Sequence, residues 1–400
     1  MIKRRFSIVI PTRERADTLF HTLKTCIAQD YDDCEIIVSD NHSADHTRDV
    51  VTGFNDARVK YTNPGRRLGM GDNFEHAFEQ ISRNTVAICI GDDDGLMPGA
   101  LQEANEIMTS ERVEALAGTR VHYDWPGLLA GRSNQLVLPI AGARITTRRT
   151  ADFVKDVLSH RCSYGTGPIL YQGFVASRVL ETIKARTGRL FRTVSPDLYA
   201  VFAISAVLRE YTVTQRCLVI DGASPRSTGA ALFGLSPDAT EANNFGKENN
   251  WPMYPGLLPA RSVLIGEADS YLHARDVLSE LSFEIPWHVI LPGAYGEVLA
   301  QDHSESIRAV ELMAERFGVR LPSRGIAAIK YRSRRFSEGL RRWRNNLYID
   351  CSPFGVGDVH GAAQLAHFAR QWVETGCDSR IAQARQIVRR LRALGAQDRK

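Results

Sequence analysis

The chain has 400 residues, more than one core usually serves, so its length favours one large domain with an appendage or two domains. With 44% hydrophobic and 24% charged residues it has the balance of a globular protein rather than a disordered one, and a net charge of +4 is too small for the basic field of a nucleic-acid binder. Seven cysteines, odd in number and never in a C-x-x-C pair, suggest neither a disulfide framework nor a zinc site and fit a reducing, cytoplasmic setting; the opening "MIKRRFSIVIPTRER" has too few apolar residues for a signal peptide, and no run approaches the ~18 apolar residues of a membrane helix.

Short apolar runs then alternate with helix-period segments. "FSIVI" (6–10) reads as a strand, 16–29 as an amphipathic helix, "EIIVSD" (35–40) as a second strand, 44–54 as a helix and "RVKY" (58–61) as a third strand. A helix follows over 71–82, then the apolar run "TVAICI" (85–90) and a helix over 98–109. This βαβα order predicts an α/β fold: a mainly parallel, doubly wound sheet flanked by helices, with its active groups outside the C-terminal strand ends. Three polar stretches, "PTRERAD" (11–17), "DNHSAD" (40–45) and "GDDDGLMPG" (91–99), occupy those ends. Each leads into a helix, so backbone N–H groups converge where an anion can bind.

From 113 to 234 the pattern loosens into the strand-like runs "EALAG", "QLVLPI", "GPILYQGFV" and "CLVID", with helical segments near 150–159 and 197–209. They complete one domain over 1–232. A Gly, Pro and Asn-rich passage over 224–259 marks a long loop or junction. Helical segments at 262–282, 304–317, 360–374 and 379–394 then predict a mostly helical region over 233–400, serving acceptor binding, membrane-surface contact or self-association into a homo-oligomer.

Within it, residues 320–344 hold Arg320, Arg324, Lys330, Arg332, Arg334, Arg335, Arg341, Arg342 and Arg344 against the single acid Glu338, interleaved with Tyr331, Phe336, Leu340 and Trp343. Two readings stay open: a helix resting on an anionic membrane face, or a solvated basic helix whose apolar side packs on the protein.

Asp92, Asp93 and Asp94 carry the strongest chemical signal. If strand geometry persists past Gly91, Asp92 and Asp94 point the same way. Adjacent carboxylates raise one another's pKa unless a cation compensates, and an oxygen-only pair suits Mg²⁺ or Mn²⁺. The competing reading is an acidic turn capping the helix that begins near Pro98. Asp40, at the end of "EIIVSD", suits a ribose hydroxyl or base edge, or else a side-chain-to-backbone turn. The glycines of "NPGRRLGMGDNF" fit neither G-x-G-x-x-G nor a phosphate-binding loop.

Taken in order, "SIVIPTRERADTLFHTLKTCIAQDYDDCEIIVSDNHSADHT", "NPGRRLGMGDNFEHAFE" and "AICIGDDDGLMPGAL" resemble the family 2 glycosyltransferases, which have a GT-A fold. The resemblance implies that Pro11, Thr12, Arg13 and Glu14 line the nucleotide pocket, that Asp40 contacts base or ribose, and that Ser43 and Asn73 are further nucleotide-sugar contacts. It makes the triplet a D-x-D element, with Asp94 on a divalent metal, Mn²⁺ or Mg²⁺, joined by Asp92, and with Asp92 or Asp93 near the ribose. "LFRTVSPDLYAVFAISAV" resembles the start of the acceptor-side helix, which makes Asp197 the general base; a helix N-cap is the alternative there.

The implied partners are a nucleotide-diphosphate sugar and a saccharide or lipid-linked acceptor of surface polysaccharide or glycolipid synthesis, handled in the cytoplasm or at the inner face of the membrane. The physics agrees. A metal neutralises the charge that grows on a diphosphate leaving group, and one carboxylate taking the acceptor's proton during direct displacement inverts the anomeric carbon.

Two rivals are a sugar-phosphate nucleotidyltransferase, whose Gly-rich basic segment "PTRERAD" lacks, and a non-catalytic carbohydrate- or partner-binding relative. His122 and His160 fall in no motif. "GASPRSTGAA" (222–231) reads either as a loop closing over the diphosphate through Arg226 or as a plain surface loop.

Overall fold

The computed structural model describes residues 3–128, 132–140, 142–227, 248 and 251–373, with side chains described to 370. Strand β1 (Arg5–Thr12) pairs in parallel with β2 (Cys34–Asp40) on one side and β4 (Thr85–Cys89) on the other, and β2 pairs in parallel with β3 (Val59–Thr62). The crossovers carry α1 (Ala16–Ile27), α2 (Thr47–Gly53) and α3 (Met70–Phe78). Both faces of β1 and β2 are covered, which is why these strands read as unbroken apolar runs. The period of two sorts their side chains: Ile8, Ile10, Ile36 and Val38 enter one core, Val9 and Ile37 the other.

The rest of the sheet corrects the mainly parallel expectation. β6 (Ala115–Asp124) is antiparallel to β7 (Gln135–Pro139) and to β9 (Gly173–Ala176), and β9 is antiparallel to β4. β10 (Glu210–Ala223) runs parallel to β6 but antiparallel to β5 (Gly95–Leu96) and β8 (Ile145–Arg149). The sheet is therefore mixed, in the order β11-β7-β6-β9-β4-β1-β2-β3, where β11 is Asn346–Asp350, with β5, β8 and β10 off this path, eleven strands among the described residues. An apolar run encodes burial and says nothing of chain direction.

Helices α4 (Ala100–Ser110), α5 (Thr150–Leu158), α6 (Ser177–Thr187) and α7 (Pro196–Val207) complete the first half. α7 is apolar all round and buried from Leu198 to Ala206, with Pro196 supplying a preset φ at its start. Beyond residue 250 come α8 (Val263–Arg275), α9 (Trp287–Ala300), α10 (Ser304–Arg316), α11 (Arg324–Asn345), β11 (Asn346–Asp350) and α12 (Val359–Val373). The helix expected over 379–394 lies outside the described residues.

The later helices share the sheet's two cores. Leu264, Ile265, Ile290, Leu291 and Val310 join Phe153, Leu180 and Phe202, while Val359, Ala362, Ala363 and Ala366 join Phe6 and Ile8. β11 adds a strand to β7. Gly296 of α9 lets α11 approach closely, since a Cβ there would stand 3.0 Å from Cβ of Tyr331 and 3.3 Å from the Ala327 carbonyl oxygen.

Candidate active site

The parallel register pairs Thr12 with Asp40 and Val9 with Cys89, so the first, second and fourth strands end on one edge. Pro11 is tolerated in β1 because pairing with the β4 side stops at the Ile90 N–H to Val9 carbonyl bond. Glu14 then turns the chain out with φ +55°. Its N–H donates to Ser43 Oγ at 2.8 Å, and its carboxylate accepts from the N–H groups of Ala44 (2.9 Å) and Asp45 (3.2 Å). Glu14 and Ser43 thus clasp two strand-end loops together.

Asp40 is 2% exposed; it accepts from the Ser43 N–H at 3.0 Å and the Tyr61 hydroxyl at 2.7 Å, forming the side-chain-to-backbone turn that competes with a ribose role. Asn73 lies behind β2, accepting from Ser39 Oγ at 3.1 Å. Arg13 pairs with Glu248.

The three aspartates are buried and diverge. Asp92 accepts from Thr12 Oγ1 (2.7 Å) and pairs with Arg15 (3.0 Å). Asp93 accepts from Ser224 Oγ (2.7 Å) and N–H (3.2 Å). Asp94 accepts from the Gly91 N–H (2.7 Å), the Tyr171 hydroxyl (2.8 Å), Gln172 Nε2 (2.9 Å) and the Gly222 N–H (2.8 Å). The shared face expected for Asp92 and Asp94 is absent, because β4 ends at Cys89 and the Asp94 N–H turns back to the Gly91 carbonyl.

Burial, then Asp92, pushes Asp93 up to about 6; burial, then Asp221 and Asp93, pushes Asp94 up to about 7. The acid acting most strongly on Asp94 is thus Asp221 on β10. Gln172 Nε2 bridges the two, reaching Asp221 at 2.8 Å, while its Oε1 is buried without a partner.

Asp221 also faces His122, which it holds at 3.0 Å while Asp124 holds the other ring nitrogen at 3.0 Å, and Arg132 pairs with Asp124 at 3.0 Å. Burial alone would lower His122, but the two carboxylates prevail and raise it to about 9. Burial likewise works against the Asp221 carboxylate, and hydrogen bonding to His122 overcomes it, bringing Asp221 to about 2. Sequence reasoning missed Asp221, Gln172 and Tyr171. Only Asp221 left a trace, as the acid closing "CLVID" in the manner of Asp40.

β10 lies directly on the triplet: a Cβ at Gly222 would fall 1.8 Å from the Asp93 carbonyl oxygen, and Trp125 Nε1 donates to that same oxygen at 2.9 Å. Arg226 donates to the Glu14 carbonyl at 3.0 Å and Arg15 to the Arg226 carbonyl, which folds residues 224–227 across the end of β1. Residues 228–231 of the same loop lie outside the described residues.

Asp197 sits in the first turn of α7, half-buried, and accepts from the Tyr164 hydroxyl at 3.2 Å. Ser195 holds the cap position, so Asp197 is not the N-cap. Burial raises its carboxyl, opposed by the Leu198 N–H, the Tyr164 hydroxyl and the charge of Arg120. The buried Cys89 thiol is raised by burial first and then by the charges of Asp94 and Asp197. His160 lies apart, against Arg334 of α11, and burial followed by that charge lowers it to about 4.

Among the described residues no group of three or more His, Cys, Asp or Glu side chains is arranged as a metal site. The donor chemistry still fits a hard divalent cation. The acids are oxygen donors, burial and then their mutual repulsion lift Asp93 and Asp94, and Gln172 Oε1 is an unanswered acceptor beside them.

Residues 7–167 match the family described as Glycosyl transferase family 2. Over 109 residues the chain is 38% identical to GalNAc(5)-diNAcBac-PP-undecaprenol beta-1,3-glucosyltransferase of Campylobacter jejuni, covering 26% of this chain and 35% of that protein. The chain thus spans about a third of the length of the curated relative it matches. Similar solved structures include S. aureus TarS 1-349 in complex with UDP-GlcNAc (12% identity, 79% of this chain and 92% of that one, TM-score 0.44). Another is the mannosyltransferase PcManGT from Pyrobaculum calidifontis in complex with GDP-Man and Mn²⁺ (12% identity, 94% and 89%, TM-score 0.45).

Proposed function

We propose that this chain, which carries a family 2 glycosyltransferase segment over residues 7–167, is an inverting glycosyltransferase that moves a sugar from a nucleotide diphosphate to a hydroxyl of a saccharide or lipid-linked acceptor. The observation that carries the reading is the convergence at one sheet edge. Thr12 and Arg15 fix Asp92, Asp93 and Asp94 follow on the same turn, and Asp197 enters in the first turn of α7 under the Tyr164 hydroxyl.

In this reading residues 11–14 with Asp40, Ser43 and Asn73 shape the nucleoside pocket, and Asp92 and Asp93 lie toward the ribose. Asp94, beside Asp221, would hold the divalent cation, with Asp92 turned to Arg15. A bound cation supplies charge neutralisation to the departing diphosphate.

Asp197 takes the acceptor's proton. Its raised carboxyl is a stronger base than a solvated one, and the Tyr164 hydroxyl orients it. A single base with direct displacement gives inversion. The relative's name specifies an undecaprenol-linked glycan, which favours a lipid-linked acceptor for this chain.

The test is a thermal-shift panel of UDP, GDP, TDP and CMP, each with and without Mn²⁺, combined with turnover of the Asp197→Asn variant. One nucleotide should stabilise the protein in a metal-dependent way. Asp197→Asn should lower kcat by roughly 10²–10⁴-fold while keeping that shift. No shift with any nucleotide favours a non-catalytic binding protein, and turnover within tenfold of wild type removes Asp197 as the base.

A further inference from the structure

α11 is amphipathic, yet its apolar side is turned away from the protein. Ile326 is 51% exposed, Ile329 69%, Phe336 74%, Leu340 45% and Trp343 67%. At 3.6 residues per turn these five fall within an arc of about 100°. The opposite side faces the protein, with Ala327 buried, Tyr331 over Gly296, and Arg334 against His160. Of the two readings open from the sequence, a helix packing its apolar side on the protein is therefore overturned. Cations flank the stripe, Arg332 on one border and Lys330, Arg341 and Arg344 on the other, with Arg335 and Arg342 further round, while Glu338 pairs with Arg334 and Arg335.

We propose that this face of α11 is a membrane-surface anchor that lies flat on an anionic lipid bilayer, its apolar stripe among the acyl chains and its basic borders on the headgroups. Charge decides the occupant. A second copy would bring the same cations against themselves, whereas an anionic bilayer offers negative headgroups beside an apolar layer, and Trp343 suits the boundary between them. The helix is about 33 Å long and lies on the surface rather than through it, since no helix among the described residues is long and apolar enough to cross a membrane.

The inner face of the same helix reaches toward the acceptor side of the site. Arg334 contacts the His160 ring, and four residues further along the same chain segment the Tyr164 hydroxyl donates to Asp197. Docking of α11 would therefore hold Asp197 close to the lipid surface. That consequence rests on the transferase reading; lipid binding itself does not.

The full chain is floated with vesicles of phosphatidylcholine alone and of phosphatidylcholine with phosphatidylglycerol in equal parts, at low and high salt. Wild type should bind the anionic vesicles at least roughly tenfold more tightly than the neutral ones and lose that margin in salt. Phe336→Ser with Trp343→Ser should abolish the binding while keeping the thermal stability, the nucleotide-induced shift and turnover of a water-soluble acceptor. Failure of wild type to bind anionic vesicles, or binding that survives the double substitution, overturns the anchor. A wild-type dimer that the double variant converts to monomer in light scattering also overturns it, assigning the face to a second copy. A missing nucleotide shift with intact vesicle binding would instead sink only the transferase reading.

Discussion

Replacing Gln172 with methionine removes one N–H donor from two carboxylates at once, Asp94 at 2.9 Å and Asp221 at 2.8 Å. A hydrogen bond to a charged acceptor contributes about 1.5–3 kcal/mol, and one pKa unit corresponds to about 1.4 kcal/mol, so the Asp94 carboxyl should rise by roughly one to two units. From about 7 it would reach roughly 8 to 9. At pH 7 the anionic fraction would fall from near half to between ~1 and ~10%. The donors from Gly91, Tyr171 and Gly222 remain, which favours the smaller shift.

Stability should move less than charge. Gln172 Oε1 is buried without a partner, and relieving that cost of ~1–3 kcal/mol offsets the lost bonds. The assay is kcat/KM for the nucleotide sugar from about pH 5.5 to about 8.5, with denaturant unfolding as the control. The acid limb should move up by one to two units, with activity at pH 7 down roughly 5- to 50-fold and partly recovered at the alkaline end. An unmoved limb, with or without loss of activity, would refute the idea that Gln172 sets the charge of Asp94.

Two further substitutions probe how the site is built. Gly222→Ala places a methyl group 1.8 Å from the Asp93 carbonyl, a backbone atom that cannot swing aside. Displacing β10 breaks the Gly222 to Asp94 and Trp125 to Asp93 bonds, so unfolding free energy should drop by about 3–5 kcal/mol in denaturant titrations, and a loss below about 1 kcal/mol would contradict the close approach. His122, raised in the folded state to about 9, contributes stability that is fully present below its unfolded value near 6.5 and is lost as pH rises through 9. The wild type should therefore lose roughly 2–3 kcal/mol between about pH 7 and 9.5, and His122→Gln should flatten that slope; an identical slope in the variant would assign the pH dependence to other groups.

The first half of the fold was legible because β1, β2 and β4 are covered on both faces and so appear as plain apolar runs bounded by polar turns. Their ends could be placed on one edge by topology alone, and the structure does bring Thr12, Arg15 and Asp92 together there. The partners of Asp94 were not legible, since Tyr171, Gln172, Asp221 and Gly222 lie 77 to 128 positions away in sequence, the first two just before β9 and the last two on β10, strands whose direction the sequence does not encode. α9 was missed because Pro292, Gly293 and Gly296 read as breakers. In the fold Gly296 is the point where α11 closes onto α9, so packing overrides the local preference.

α11 marks a different limit. Its residues interleave cations with Tyr331, Phe336, Leu340 and Trp343, but amphipathicity identifies a face without saying what covers it, and the usual expectation is that the protein does. The neighbouring elements decide otherwise. The helix is fixed at its centre by Tyr331 over Gly296 and at its C-terminal end by the chain passing straight into β11, whose five residues pair with β7 from Asn346 on Pro139 to Asp350 on Gln135. A helix clamped at two points cannot roll to bury Phe336 and Trp343 against its own fold without breaking that ladder. The exposed stripe is therefore a property of the described fold, in which no described element covers it.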